Sequence, residues 1–400
     1  MPFSTIEHAI AAFAEGKMLV VVDDEHRENE GDVIVAAEKV TPEAIAFMMR
    51  EARGLICTSL PASRLEELAI PLMVSENTET MRTAFTVSID LREGISTGIS
   101  AADRARTIRA LLDPSIRPEG FARPGHVFPL RAQKNGVLAR PGHTEASADL
   151  ARLAGLSAAG VLCEIANDDG TMARLPELER FAEKHGLRLI SIADLIAYRR
   201  RTETFVSRVS EAQLPTKFGQ FTAYAYRDNL TGHEHLALVT GNTQDDGLPV
   251  RVHSECLTGD VLASSKCDCG DQLDLAMTIV QQAQRGCIIY LRGQEGRGIG
   301  LANKIATYAL QDTGLDTLEA NTALGLPSDS RDYLAAVGIL KDLNLDNITL
   351  LTNNPFKVAA LRECGIQVNA RRSLITAAHA ANINYLRTKQ NRFGHQLELA

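Results

Sequence analysis

Arg251-Val252-His253-Ser254-Glu255-Cys256 is followed by Lys266-Cys267-Asp268-Cys269-Gly270, a Cys-x10-Cys-x-Cys spacing. Upstream, 203–255 is mostly β-patterned, with 221–226 and 236–240 as the clearest strands. Downstream, 271–284 reads as an amphipathic helix leaving at Gly286. The cysteines therefore stand where a strand hands over to a helix. Three thiolates so spaced can hold one zinc and leave its fourth position open for a bound water, as a catalytic zinc requires. His253 or an aspartate as fourth ligand would instead close the site as a structural one.

The next string repeats the strand-to-helix pattern. Cys287-Ile288-Ile289-Tyr290-Leu291 reads as a strand. Arg292-Gly293-Gln294-Glu295-Gly296-Arg297-Gly298-Ile299-Gly300 reads as a glycine-rich turn onto a helix over 299–311, stopped near Gly314. Such a turn lets backbone N–H groups approach an anion. It matches neither the P-loop nor the dinucleotide fingerprint. Its weight comes from Tyr308, from Asp329-Ser330-Arg331-Asp332 and from Thr352-Asn353-Asn354-Pro355-Phe356-Lys357. Helices over 332–343 and 355–364 and a strand over 348–352 continue the alternation.

Over about 249–368 these strings resemble GTP cyclohydrolase II. The resemblance implies that Cys256, Cys267 and Cys269 ligate Zn2+. It implies GTP contacts from Arg251, Val252, His253, Ser254, Glu255 and Gln272, and from Glu295, Gly296, Arg297, Thr317, Thr352 and Lys357. Asp329 matches the proton acceptor, Arg331 the nucleophile toward the α-phosphorus, and Tyr308 a tyrosine that assists ring opening. The implied reaction hydrolyses GTP to 2,5-diamino-6-(5-phosphoribosylamino)pyrimidin-4-one, formate and pyrophosphate. Gly293 is a one-residue insertion relative to the commoner arginine-glutamine-glutamate-glycine-arginine form. A guanidinium is normally protonated, so electrostatic clamping of the phosphate by Arg331 is the physically simpler role. The sequence leaves both roles open.

That half needs only part of the chain. A length of 400 residues fits two domains of about 200 each. Apolar content of 45% without tryptophan gives two aliphatic cores. The basic run Arg199-Arg200-Arg201 places the boundary near Thr202, so that 1–202 and 203–400 are the expected domains. A net charge of −8 argues against nonspecific nucleic-acid binding. No apolar stretch is long enough to span a bilayer, and Met1-Pro2-Phe3-Ser4 lacks the pattern of a signal peptide. Seven cysteines, some clustered, suit a reducing compartment. A cytoplasmic protein without nucleic-acid or membrane partners is expected.

In the first half, Ser4-x-x-Glu7 resembles a capping box opening a helix to about Glu15. Strands are expected over 18–23, 56–59, 85–90, 127–133 and 160–165. Helices are expected from Thr41-Pro42, over 176–185 with Gly186 as stop, and over 191–201. Asp23-Asp24-Glu25-His26-Arg27-Glu28-Asn29-Glu30-Gly31-Asp32 directly follows the first strand. Arg140-Pro141-Gly142-His143-Thr144-Glu145 opens a helix, where backbone N–H groups can hold a phosphate. Arg123-Pro124-Gly125-His126 and Glu164 add titratable groups. Magnesium prefers carboxylate oxygen and bridges to substrate hydroxyls. Glu28 and His143 could supply such a site, and Glu30, Asp32 and Glu164 could move protons.

These strings, with Ser96-Thr97-Gly98-Ile99-Ser100-Ala101-Ala102-Asp103-Arg104 and 160–170, resemble 3,4-dihydroxy-2-butanone 4-phosphate synthase over essentially 1–200. The resemblance implies conversion of D-ribulose 5-phosphate to L-3,4-dihydroxy-2-butanone 4-phosphate plus formate. It implies Mg2+ (or Mn2+) held through Glu28 and His143. Substrate binding falls to Arg27, Glu28, Asp32, Arg140, Pro141, Gly142, His143, Thr144 and Glu164, and catalysis to His126 and Glu164. Enolisation, dehydration and rearrangement each move a proton beside oxygens that a divalent metal polarises. Met81-Arg82-Thr83 departs from the histidine-glycine-threonine form usual there.

Cys163 and Cys287 lie in apolar strand contexts and read as core. Cys57, near a strand end, is open between core and acidic site. The expected fold is α/β (α+β), two domains that are each a mixed sheet packed with helices, the second with a β-rich N-terminal part. Both families form homodimers, so a homodimer is expected.

Overall fold

A computed structural model describes residues 3–243 and 246–397. Met1 and Pro2 of the N-terminal string and the last three residues of the tail lie outside the described residues. The chain forms two compact units, Met1–Arg199 and Arg200–Ala400. The division falls within the helix Ile192–Thr202.

The first unit is built on seven strands: β1 (Leu19–Val22), β2 (Gly31–Ala36), β3 (Cys57–Pro61), β4 (Ile89–Leu91), β5 (Phe121–Ala132), β6 (Gly160–Glu164) and β7 (Arg188–Ser191). Their order is β4-β5-β3-β6-β2-β1-β7. The pairs β1/β7 and β3/β5 are parallel and the rest antiparallel, so the sheet is mixed. The Leu19–Val22 run is apolar throughout because both its faces are covered. Val20 and Val22 join a core with Ile45, Ile108 and Leu178. Leu19 and Val21 join a second with Phe13, Ala146 and Leu150.

Three local expectations change. The first helix, Ile6–Ala14, is capped by Thr5, whose hydroxyl accepts from His8 N–H. Ser4 is drawn away because its own N–H donates to the Leu189 carbonyl at 2.8 Å. Of the strand expected over 85–90, only β4 forms; Phe85 and Thr86 make single bridges. Strand β5 begins at Phe121, so His126 stands on a strand and not in a loop.

The second unit also has seven strands: β8 (Val206–Thr216), β9 (Gly219–Asp228), β10 (Glu234–Thr240), β11 (Leu248–Ser254), β12 (Gly286–Leu291), β13 (Asn347–Leu351) and β14 (Gln367–Arg372). Their order is β14-β13-β11-β12-β10-β9-β8. Strands β8, β9 and β10 form an antiparallel meander, and β10 pairs antiparallel with β12. The strands β12, β11, β13 and β14 run parallel. Parallel register brings Ser254 beside Leu291, so β11, β12 and β13 release their chains at one edge. In open α/β sheets that edge is where ligands bind.

In this unit two helices longer than a single turn were not expected from the sequence. Thr317–Ala323 is capped by a reciprocal Asp316–Glu319 box. Ile383–Phe393 takes in the polar stretch beyond about Thr388. Leu386 and Lys389 are buried there, which ties the tail down.

Candidate active sites

Strand β11 ends at Ser254, and the next turns carry Cys256, Cys267 and Cys269 together. Their sulfurs lie within 4.8 Å of one another, with Cys256 Sγ 3.7 Å from Cys267 Sγ. Two sulfurs bound tetrahedrally to zinc at about 2.3 Å stand about 3.8 Å apart. Gly259 makes the approach possible, since a Cβ there would lie 2.8 Å from Cys267 Sγ. Among the described residues no fourth thiol, imidazole or carboxylate joins the group. His253 is instead engaged by Asp260, with Nε2 3.1 Å from each oxygen, and stacks on Tyr290. Asp268 is held by Lys389 and by Gln272 Nε2 at 2.7 Å. The three residues fit a zinc with an open position.

Electrostatics point the same way. Hydrogen bonds from Cys267 and Cys269, aided by the Lys304 ammonium, drive the Cys256 thiol far below its ordinary range. The contact with Cys256 pushes Cys267 up to about 11, and contacts with Cys256 and Cys267 push Cys269 well up. Three thiolates this close need a cation. Lys304, which the sequence reading missed, donates to Cys256 Sγ at 3.0 Å, to Thr258 Oγ1 at 2.8 Å and to Glu295.

A cavity opens beside the sulfurs. Arg251, His253, Ser254, Glu255, Gln272 and Gly296 line it, together with Arg297, Tyr308, Thr317, Arg331, Thr352 and Lys357. Arg251 donates to the Leu351 carbonyl at 3.0 Å and to Gln272 Oε1 at 2.8 Å. Val252 contributes through its carbonyl, which accepts from Lys357 Nζ at 2.6 Å. Burial, then Arg251 and Arg331, push the Lys357 ammonium well below its ordinary value. Ser254 Oγ donates to Gln294 at 2.6 Å. Glu255 accepts from Gly293 N–H at 2.7 Å, and Glu295 accepts from Leu257 N–H at 2.6 Å. The inserted Gly293 sits at φ +75, and a Cβ would strike the His233 ring at 2.6 Å, so only glycine fits. Tyr308 OH stands 3.4 Å from Thr258 Oγ1.

In the first unit, β1 ends at Val22 and Asp23 organises the following loop. Its carboxylate accepts Glu28 N–H at 3.0 Å, Glu30 N–H at 2.8 Å and Arg27 Nη1 at 2.8 Å. Asp23, Glu28 and His143 form the second group able to hold a metal. His143 Nε2 lies 3.1 Å from the Val21 carbonyl. A carbonyl only accepts, so Nε2 carries the proton and Nδ1 is left facing Glu28 and Asp32, each 3.8 Å away. Asp32 Oδ1 is buried and, among the described residues, has no hydrogen-bond partner. Oxygen and imidazole donors beside such an atom fit magnesium or manganese.

Charge is shared unevenly in this group. The His143 ring beside it, with Arg27, holds Glu28 at about 2 against burial. Burial opposes the His143 imidazolium, but Asp32 and Glu28 outweigh it and raise the group to about 9. Burial lifts Asp32 to about 7 and, with Glu28, raises Glu30.

Arg27, Glu28, Asp32, Arg140, His143, Thr144 and Glu164 line one cavity. The β2/β6 register sets Asp32 opposite Glu164, whose carboxylate accepts Leu55 N–H at 2.8 Å. Arg140 donates to Glu145 at 2.8 Å, to Thr83 Oγ1 at 2.8 Å and to the Met81 carbonyl at 3.2 Å. The departure at Met81-Arg82-Thr83 has a visible cost, because Arg82 takes φ +57 where a glycine is comfortable. Pro141 and Gly142 shape the turn before His143 and do not line the cavity. Nor does His126, whose Nδ1 is 2.7 Å from Asp90 Oδ2. Cys57 does line it, and burial holds its thiol well up.

Residues 7–198 match the family model of 3,4-dihydroxy-2-butanone 4-phosphate synthase. Residues 207–373 match that of GTP cyclohydrolase II. The chain is 56% identical to a riboflavin biosynthesis protein RibBA of Salinispora arenicola, over 99% of this chain and 94% of the relative. It is 51% identical to the chloroplastic bifunctional riboflavin biosynthesis protein RIBA 1 of Arabidopsis thaliana, over 99% of this chain and 74% of the relative. The crystal structure of RibBX, a two-domain 3,4-dihydroxy-2-butanone 4-phosphate synthase from A. baumannii, superposes with a TM-score of 0.65 at 38% identity, covering 94% of this chain and 100% of that one.

Proposed function

The chain belongs to the family of bifunctional riboflavin biosynthesis proteins, and from that premise we propose which residues carry each reaction. The enzyme converts D-ribulose 5-phosphate to L-3,4-dihydroxy-2-butanone 4-phosphate and formate. It also hydrolyses GTP to 2,5-diamino-6-(5-phosphoribosylamino)pyrimidin-4-one, formate and pyrophosphate. We assign the lyase to 1–202 and the hydrolase to 203–400.

In the hydrolase, Cys256, Cys267 and Cys269 hold zinc. When bound, the metal supplies a Lewis acid and an acidified water at the guanine imidazole carbon. Arg251, Gln272 and Lys357 orient the nucleotide. Arg297 and Arg331 face the phosphates, and Asp329 accepts a proton beside them. Arg331 keeps its proton, since Asp329 outweighs burial and raises its pKa. This supports a guanidinium clamp on the α-phosphate over a covalent attack. Tyr308 donates toward the opening ring. The observation that carries the reading is the trio of sulfurs, with no fourth protein donor among the described residues, at the wall of a cation-lined cavity.

In the lyase, Glu28 and His143 hold magnesium or manganese, which supplies polarisation of the sugar oxygens. Arg27, Arg140 and Thr144 bind the substrate, with the phosphate at the N-terminus of the helix His143–Leu153. Asp32, Glu30 and Glu164 exchange protons; the raised values of Asp32 and Glu30 suit that task. His126 stands outside the cavity in one chain, so we assign its catalytic part to a homodimer, in which a second copy completes the site. All seven cysteines are free, which supports a cytoplasmic setting. Among the described residues no helix is long and apolar enough to cross a membrane.

The test is to incubate the purified protein with ribulose 5-phosphate plus magnesium and, separately, with GTP. Formate in both, and pyrophosphate only with GTP, is the expected result. Formate from one substrate alone would overturn the assignment of the other half.

A further inference from the structure

The match to the GTP cyclohydrolase II model ends at residue 373, yet Tyr385, Lys389 and His395 line the GTP cavity. The first two belong to the helix Ile383–Phe393. Gly394, at φ +60, ends that helix in the left-handed conformation. His395 N–H then turns back onto the Lys389 carbonyl at 3.0 Å, and Gln396 N–H donates to the Asn353 carbonyl at 2.9 Å. Arg297 lies 3.5 Å from the centroid of the Phe393 ring. The segment is thereby fastened beside Thr352 and the glycine-rich turn.

Two features exceed what a packing helix needs. Lys389, only 6% exposed, pairs with Asp268, which stands between two of the cysteines. Asp268 accepts from Gln272 at 2.7 Å, and Gln272 accepts from Arg251 at 2.8 Å. A buried polar chain thus runs from the helix to two GTP-contact positions. His395 Nδ1 is buried and, among the described residues, has no hydrogen-bond partner. Burial, then Lys389, Arg297, Arg331 and Lys357, hold this imidazole down at about 2, so it is neutral and can present a proton on Nδ1. A buried donor without a partner, set among four cations, calls for an anionic ligand.

We propose that the C-terminal segment is a wall of the GTP site, in which His395 donates to a triphosphate oxygen and Lys389 positions Cys267 and Cys269 through Asp268. This rests on the cyclohydrolase reading, and GTP turnover by the unmodified protein tests that reading separately. The full-length protein with His395→Ala should show a KM for GTP raised about 10-fold or more, as for a lost hydrogen bond to a charged group. Inhibition by pyrophosphate should weaken by a similar factor, with kcat changing less. His395→Asn, which keeps a donor near the Nδ1 position, should recover most of the loss. Lys389→Met should lower zinc content and kcat, and Lys389→Arg should restore both. Ribulose 5-phosphate turnover reports folding of the first unit, and circular dichroism reports the second. Unchanged KM and pyrophosphate inhibition in folded His395→Ala would overturn the phosphate role. So would a KM increase that His395→Asn does not reduce. Full zinc content and kcat in Lys389→Met would overturn the positioning role.

Discussion

Arg331 donates to both carboxylate oxygens of Asp329, from Nε to Oδ1 at 2.9 Å and from Nη2 to Oδ2 at 2.5 Å. Burial opposes the carboxylate, yet Arg331 still holds it below its ordinary value, so the pair is ionised. Asp329→Asn and Arg331→Ala should each lower pyrophosphate release from GTP by at least about 100-fold, as when a preorganised charge leaves a phosphate site. Zinc analysis should find the metal retained. Zinc loss in either variant would make the pair structural.

Glu28 joins the metal group through a carboxylate held at about 2. Glu28→Gln keeps its shape and removes its charge. Formate release from ribulose 5-phosphate should fall at least about 100-fold, and GTP turnover should persist. Full pentose activity in the folded variant would remove Glu28 from the site.

Cys287 is fully buried between apolar strands, and burial pushes its thiol up to about 12. The unfolded thiol ionises near about 8.5. Above that value the unfolded chain binds fewer protons than the folded one, so stability is present in full below it and falls as pH rises. One such thiol contributes about 1.4 kcal/mol per pH unit until the folded value is reached. Urea titrations between pH 9 and 11 under reductant should show a shallower loss in Cys287→Ala. An unchanged slope would mean that the folded thiol ionises normally.

Much of both sites was legible because glycine and strand ends mark them. Gly293, Gly296 and Arg297 mark the glycine-rich turn at the cavity beside the cysteines, and the Asp23–Asp32 run marks the acidic loop. Asp316-x-x-Glu319 is a capping box legible in the sequence, and it opens a helix whose first residue, Thr317, lines the cavity beside the cysteines. Lys304, Asp260 and Lys389 were not legible, because only the fold brings them to the cysteines and to Asp268. The polarity of the tail hides its burial for a related reason: Lys389 is buried with a partner 121 residues away in sequence. The strand expected over 85–90 is cut back to β4 because Phe85 and Thr86 find single bridge partners.

The central claim is that one chain carries two independent sites, the second built on three thiolates. Cys267→Ser tests it most directly, since a neutral hydroxyl is a poor substitute for thiolate at zinc. Zinc analysis and formate assays with both substrates are run on that one variant. The account predicts loss of zinc and of formate from GTP, with magnesium-dependent formate from ribulose 5-phosphate nearly untouched. Loss of both activities in a well-folded protein, or GTP ring opening that survives without zinc, would contradict it.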